Sequence, residues 1–138
     1  YGFNLITKYP AADFICIDQP EARLAAGVAT EPIHDVIKRL VSKISCDRFL
    51  VTHGRNGSVH LDGRGFDHCP AFSDGGVDTM GAGDAVLAVA APLVAAGLPL
   101  NMAAFAGNVA GAIKTSIVGH RRHVERNELV QTIEALLA

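Results

Sequence analysis

The 138-residue chain has only three cysteines, Cys16, Cys46 and Cys69, and no C-x-x-C pair. An odd, unpaired set argues against a disulfide framework and a structural zinc site, and makes a reduced, cytoplasmic setting the expectation. Charge of one sign is also missing: Lys+Arg 12 against Asp+Glu 14 leaves a formal net charge of −2. No basic surface advertises nucleic acid as a partner. No apolar run reaches the ~20 residues of a membrane span, so a membrane is not an expected partner either. Nor is the composition that of a disordered chain, since 49% of the residues are hydrophobic. No internal repeat or low-complexity linker interrupts the sequence, which reads as a single domain over 1–138. An opening methionine is absent too. The chain enters on Tyr1 and runs straight into Phe3, Leu5 and Ile6, which permits the reading of a piece of a longer protein.

What is present is an alternation of strands and helices. Asp13-Phe14-Ile15-Cys16-Ile17 is a short apolar run between breakers, the pattern of a buried parallel strand. Pro20 suits a first helical turn and predicts a helix to Ala26, stopped near Gly27. Thr30 is the expected cap of a second helix, in which Ile33, Val36, Ile37, Leu40, Val41 and Ile44 recur at helical spacing. Arg48 to Thr52 reads as a second buried strand. Ser58–Leu61 and Gly65–Cys69, joined by Asp62-Gly63-Arg64, read as a hairpin. From Gly81 to Ala112, 12 of 32 positions are alanine, and two closely packing helices are predicted at about 84–96 and 101–117. Asn101 is the expected cap of the second, and Pro92 is expected to kink or end the first. A last helix runs from about Glu125 to Leu137, with Leu129, Val130, Ile133, Leu136 and Leu137 on its apolar side. The result is an α/β layered fold whose visible sheet is small for its helices, so part of the sheet is expected elsewhere.

The stretch Val77-Asp78-Thr79-Met80-Gly81-Ala82-Gly83-Asp84 carries the chemistry. Its glycines let the backbone turn tightly and approach a ligand. It opens a helix, where free N–H groups and the positive dipole end favour an anion. Asp84 falls in the first turn, where that dipole favours an ionised carboxylate. An anion cradle beside a carboxylate suits phosphoryl transfer to a hydroxyl, the cradle stabilising the moving charge and the carboxylate taking the proton. A P-loop is excluded because no lysine follows the glycines, and a dinucleotide fingerprint is disfavoured by Val86. Standing alone, the Gly-Ala-Gly-Asp turn would read equally well as an ordinary helix entry.

The sequence resembles the ribokinase-like (PfkB) family of carbohydrate kinases. Its signature D-T-x-G-A-G-D is matched by Asp78, Thr79, Gly81, Ala82, Gly83 and Asp84. The family's T-x-G-x-x-G nucleotide loop is matched by Thr52, Gly54 and Gly57, and its N-x-x-E motif appears as Asp18-Gln19-Pro20-Glu21. Pro20-Glu21-Ala22-Arg23, the stretch after Asp84 and Val118-Gly119-His120-Arg121 look most like the family's heptose-phosphate kinases. The resemblance implies a ribokinase-like fold and transfer of the ATP γ-phosphoryl to a sugar or sugar-phosphate hydroxyl. It makes Asp84 the base and the backbone of Gly81, Ala82 and Gly83 the anion hole. Thr52, Gly54 and Gly57 would contact the nucleotide with Asp18 beside them, and Asn108 would lie near the adenine. Glu21 would organise Mg²⁺ through water, and Asp78, with carbonyls near Met80, Lys114 and Gly119, would hold a monovalent cation such as K⁺.

Two departures stand out. Asp18 replaces the family asparagine with an acceptor-only carboxylate near the triphosphate. The match also covers only the C-terminal, nucleotide-binding half of the family fold, so the N-terminal sugar-binding half is expected to be absent. Weak or no activity of the isolated chain follows, together with self-association or pairing with a missing N-terminal half. A non-catalytic nucleotide-binding or interaction module is the alternative. Of the remaining groups, His120 and His123 read as surface histidines rather than a metal pair. Arg121, Arg122 and Arg126 read first as a solvated loop and second as a phosphate contact.

Overall fold

The computed structural model describes residues 4–73, 79–118 and 121–138. Its centre is one four-stranded sheet in the order β1-β2-β3-β4: β1 Ile15–Asp18, β2 Phe49–Thr52, β3 Ser58–Asp62 and β4 Gly65–Cys69. β1 and β2 are parallel, with Asp18 opposite Thr52 at their C-terminal ends. β2, β3 and β4 are antiparallel, and the expected hairpin turns at Gly63-Arg64, where the Asp62 carboxylate accepts from the Arg64 N–H at 2.8 Å.

Period-2 alternation sends neighbouring strand residues to opposite faces, and two cores result. On one face Ile15, Phe49, Val51 and Val59 pack against α1 Gln19–Ala26 and α2 Ile33–Val41 through Ala22, Val36, Ile37 and Leu40. On the other, Leu50 and Cys69 pack against α3 Ala82–Ala95 and α4 Leu100–Thr115 through Val86, Ala90, Ala103 and Ala104. The layered α/β architecture with a partial sheet is therefore present. The alanines act as spacers. Val86 Cγ1 lies 3.1 Å from where a Cβ on Gly107 would stand, and Cγ2 3.0 Å from one on Gly111, so the α3–α4 contact depends on bare backbone there.

Three helix details differ from the sequence expectation. α2 is capped not at Thr30 but at Pro32, whose ψ of 142° is extended. The residue before a proline is kept out of the helical region, so Glu31 cannot continue a helix begun at Thr30. α4 likewise starts at Leu100 rather than Asn101, with Pro99, extended at ψ 142°, as cap; the Asn101 side chain accepts from the Met102 N–H at 2.9 Å. Pro92 does not end α3, which continues to Ala95 with Pro92 on its exposed side. α5 Arg126–Leu137 forms as expected, but only Leu129 and Ile133 reach the core, against Val109, Ile113 and Ile117. Val130, Leu136 and Leu137 remain exposed, because α5 packs mainly on α4 and these residues face away from it.

Candidate active site

The register of the two parallel strands brings Asp18 and Thr52 side by side at the carboxyl edge of the sheet, where open α/β sheets bind ligands. Asp18 does local work there: its Oδ1 accepts from the Glu21 N–H at 2.7 Å and caps α1. Beyond Thr52 a short loop closes on itself, the His53 N–H donating to the Gly57 carbonyl at 2.7 Å around one 3-10 turn, Gly54–Asn56. Gly57 has φ +78°, and a Cβ on it would overlap the Cys69 carbonyl oxygen and stand 2.6 Å from the Pro70 carbonyl carbon. Both its conformation and its close approach to the exit of β4 demand glycine.

Asn108 secures that same exit. Only 8% exposed within α4, it donates through Nδ2 to the carbonyls of Cys69 (3.2 Å) and Pro70 (3.1 Å). Phe72, just beyond, stacks edge-on against Phe105 of α4 at 5.2 Å. Gln19, at the start of α1, spans toward the loop. Its amide nitrogen donates to His53 Nε2 at 2.6 Å, and its oxygen accepts from Arg23 Nη2 and Nε at 3.0 and 3.1 Å.

α3 begins at the signature. Gly81 is its cap, in the left-handed region at φ 79°, and no side chain caps the helix, so Asp84 falls in the first turn as expected. The Ala82 N–H donates to the Thr79 carbonyl at 3.2 Å, so the turn itself takes one of the amides expected to serve an anion. A Cβ built on Gly83 would meet nothing within 4 Å, and that open space borders a cavity.

Two cavities flank this turn. The first, about 540 Å³, is lined by Asp18, Thr52, Gly54, Gly57, Ala82, Gly83 and Asn108, so the structure gathers these sequence-predicted residues from β1, β2, the loop after β2, α3 and α4. The second, about 860 Å³, is bordered by Gly81 and Asp84 together with α4 and the chain leading into α5. Glu21 joins neither. It lines a separate hollow of about 110 Å³ with Ile17 and Leu24, and is not brought to the first cavity. Asp78 and Gly119 lie outside the described residues.

Sequence reading missed several walls of the first cavity, Gln19, Arg55 and Phe72, whereas His53, which stands out in the sequence beside Thr52 and Gly54, also lines it. Only the asparagine buried in an alanine-rich helix could have pointed to the β4 exit. The thiols near this region are unreactive in character. Burial pushes Cys16 up to about 12, and burial also raises Cys69, partly offset by its hydrogen bond with Asn108. On β3, Ser58 Oγ and His60 Nδ1 are buried without a hydrogen-bond partner among the described residues, and burial lowers the His60 pKa. Among the described residues no cluster of three His, Cys, Asp or Glu forms a metal site, and no helix is long and apolar enough to cross a membrane.

Comparison with known proteins gives consistent matches. Residues 5–126 match the model of the pfkB family carbohydrate kinases. The Bifunctional protein HldE of Trichlorobacter lovleyi is 32% identical over 117 residues, 82% of this chain and 24% of that protein. Phosphofructokinase-2 from Escherichia coli, solved in complex with potassium, superposes with a TM-score of 0.80 at 18% identity, covering 93% of this chain and 42% of that one. Arabidopsis thaliana ribokinase, complexed with ribose and ATP, gives 0.76 at 19% identity, covering 88% and 41%. The fold is thus ribokinase-like. The chain spans about a quarter of the length of the curated relatives it matches.

Proposed function

The chain belongs to the pfkB family of carbohydrate kinases, and from that premise we propose that it carries the nucleotide-binding and phosphoryl-transfer part of an ATP-dependent kinase. The acceptor is a hydroxyl of a sugar or sugar phosphate. One observation carries the reading: the first turn of α3 stands between two cavities, with the glycine-loop residues in one and Asp84 in the other. A donor on one side and an acceptor on the other would meet across that turn.

ATP occupies the cavity of Thr52, Gly54, Gly57 and Asn108 on this reading, its γ-phosphoryl against the backbone of Gly81, Ala82 and Gly83. Transfer forms a bond from the acceptor oxygen to the γ-phosphorus and breaks the bond to the β–γ bridging oxygen. ADP leaves, and the hydroxyl proton passes to the Asp84 carboxylate. Mg²⁺, when bound, would supply positive charge that offsets the charge of the triphosphate. Asp18, which borders the cavity, is the carboxylate suited to hold it, with Glu21 acting through water at most. The likeness to a potassium-containing relative supports K⁺ beside the turn, with Asp78 as a ligand. We place the sugar-binding half outside this chain, so the chain alone transfers slowly.

The test is transfer of label from γ-labelled ATP to a panel of sugars and sugar phosphates. Asp84→Asn is expected to lower the rate by roughly 10²–10⁴, the usual worth of a general base, with ATP affinity unchanged. Equal transfer by the variant and the parent chain overturns the role of Asp84. Rapid phosphorylation by the unaided chain overturns the placement of the sugar-binding half.

A further inference from the structure

The wall of the first cavity includes a residue with no part in the transfer chemistry. His53 follows Thr52, is half-buried, and is held by a chain of hydrogen bonds whose direction follows from its far end. The guanidinium of Arg23 has donors only. Its Nη1 donates to the Ala29 carbonyl at 3.1 Å, and its Nη2 and Nε lie 3.0 and 3.1 Å from the side chain of Gln19, one turn back along α1. The atom that meets them must be the Gln19 oxygen. The Gln19 amide nitrogen is thereby turned toward His53 and donates to Nε2 at 2.6 Å. The Asn56 amide nitrogen stands 3.4 Å from the same ring atom. Nε2 is therefore an acceptor, and the neutral ring carries its proton on Nδ1. Among the described residues none accepts that N–H.

Asp18 and Thr52 are register partners, and each is followed by one member of the Gln19–His53 pair, so the ring stands at the corner of the cavity where Asp18 offers only acceptors. Arg55, two residues further along the loop, lines the same cavity. It is exposed and has no ion-pair partner among the described residues. A fixed neutral N–H in one loop with an unpaired guanidinium suits an anionic oxygen better than an apolar part of a ligand. We propose that His53 donates its Nδ1–H to a phosphate oxygen of the nucleotide, and that Gln19 is a positioning residue that holds the ring in the tautomer able to do so. The donor adds no charge of its own and faces the ligand at the corner where Asp18 would otherwise repel it. This contact rests on the nucleotide reading of the first cavity, whereas the tautomer of the ring does not.

The experiment is nuclear magnetic resonance on the nitrogen-labelled chain, which reads ring nitrogens and backbone amides together during titration with ATP or with adenosine. Without nucleotide, His53 is expected as the Nδ1–H tautomer in the parent chain and as a mixture of tautomers in Gln19→Leu. ATP should shift the Nδ1–H resonance along with the amides of Gly54, Gly57 and Gly83. His53→Gln sets an amide nitrogen at the Nε2 position and none at Nδ1. It should weaken ATP about tenfold, the worth of a hydrogen bond to a charged group, and leave adenosine unaffected. The conservative variant His53→Asn, whose amide nitrogen stands in for Nδ1, should rescue the ATP affinity. Both variants should keep dispersed spectra, since the ring lies in a surface loop. An Nε2–H tautomer in the parent chain, equal losses for ATP and adenosine, or no rescue by His53→Asn overturns the proposal. Absence of saturable ATP binding to the parent chain removes the nucleotide reading and the contact with it. ATP binding that is indifferent to His53→Gln removes the contact alone.

Discussion

Asn108 secures one wall of the first cavity, since its one amide group donates to two consecutive carbonyls, of Cys69 and Pro70. Asn108→Leu is expected to destabilise the chain by about 1–3 kcal/mol, the worth of two lost hydrogen bonds, measurable as a lower urea midpoint. Its ATP affinity should fall with it, because Pro70 leads directly into Phe72 at the cavity. Gly57→Ala belongs to the same seam. Strain at positive φ and overlap with the Cys69 carbonyl should together exceed ~1 kcal/mol, read from the same unfolding curves. His60 gives a pH signature. Its folded pKa lies below the ordinary 6.5 because burial outweighs the attraction of Asp67 and Asp62. Below about pH 6.5 the unfolded chain therefore binds a proton that the folded chain refuses. Stability from this residue is full above that pH and is lost as pH falls through the lowered folded value. Urea midpoints at pH 7.5 and 5.5 should drop for the parent chain and drop less for His60→Leu.

At the scale of elements, the α3–α4 contact decides where the signature turn stands. Val86 fills the space over Gly107 and Gly111, and the carbonyl of Ala82, the first residue of α3, lies 3.5 Å from a Cβ built on Gly111. Gly111→Ala should cost about 1–3 kcal/mol by overpacking, and Val86→Ala in the same chain should recover part of it, a non-additivity visible in a double-mutant cycle. The strands were legible because a buried parallel strand needs an unbroken apolar run, and Phe14–Ile17 and Phe49–Val51 supply one each. The helix starts were less legible. Thr30 and Asn101 have the right side chains for caps, but Pro32 keeps Glu31 out of the helical region, and both Pro32 and Pro99, extended with ψ 142°, take the cap positions themselves. For α5 the periodicity of Val130, Leu136 and Leu137 was real, yet burial requires a neighbour as well as a pattern.

For the whole molecule, the gathering of Asp18, Thr52, Gly57, Gly83 and Asn108 around one cavity was legible only as a set of separate motifs. Their convergence comes from strand register and from α4 crossing the sheet, neither of which a local pattern encodes. The division of the signature was not legible at all: Ala82 and Gly83 face one cavity and Gly81 and Asp84 the other, because successive residues of a helical turn point to different sides. Nor could Glu21 be placed, since its motif fixes its position in α1 but not which hollow that position borders. β1 pairs only with β2 among the described residues, and an open edge pairs with what it meets. Light scattering after size exclusion should therefore find mass rising with concentration, whereas a monomer at every concentration contradicts an available edge. The most direct measurement on the central claim is a calorimetric titration of the chain and its Gly83→Val variant with ATP and Mg²⁺. A Cβ at Gly83 meets no atom beyond its own turn within 4 Å, so the variant should keep its fold by circular dichroism while its side chain enters the first cavity. Saturable binding to the parent chain and its loss in the folded variant is the predicted result. Equal binding by both would place the nucleotide elsewhere and contradict the assignment of the turn as the phosphate cradle.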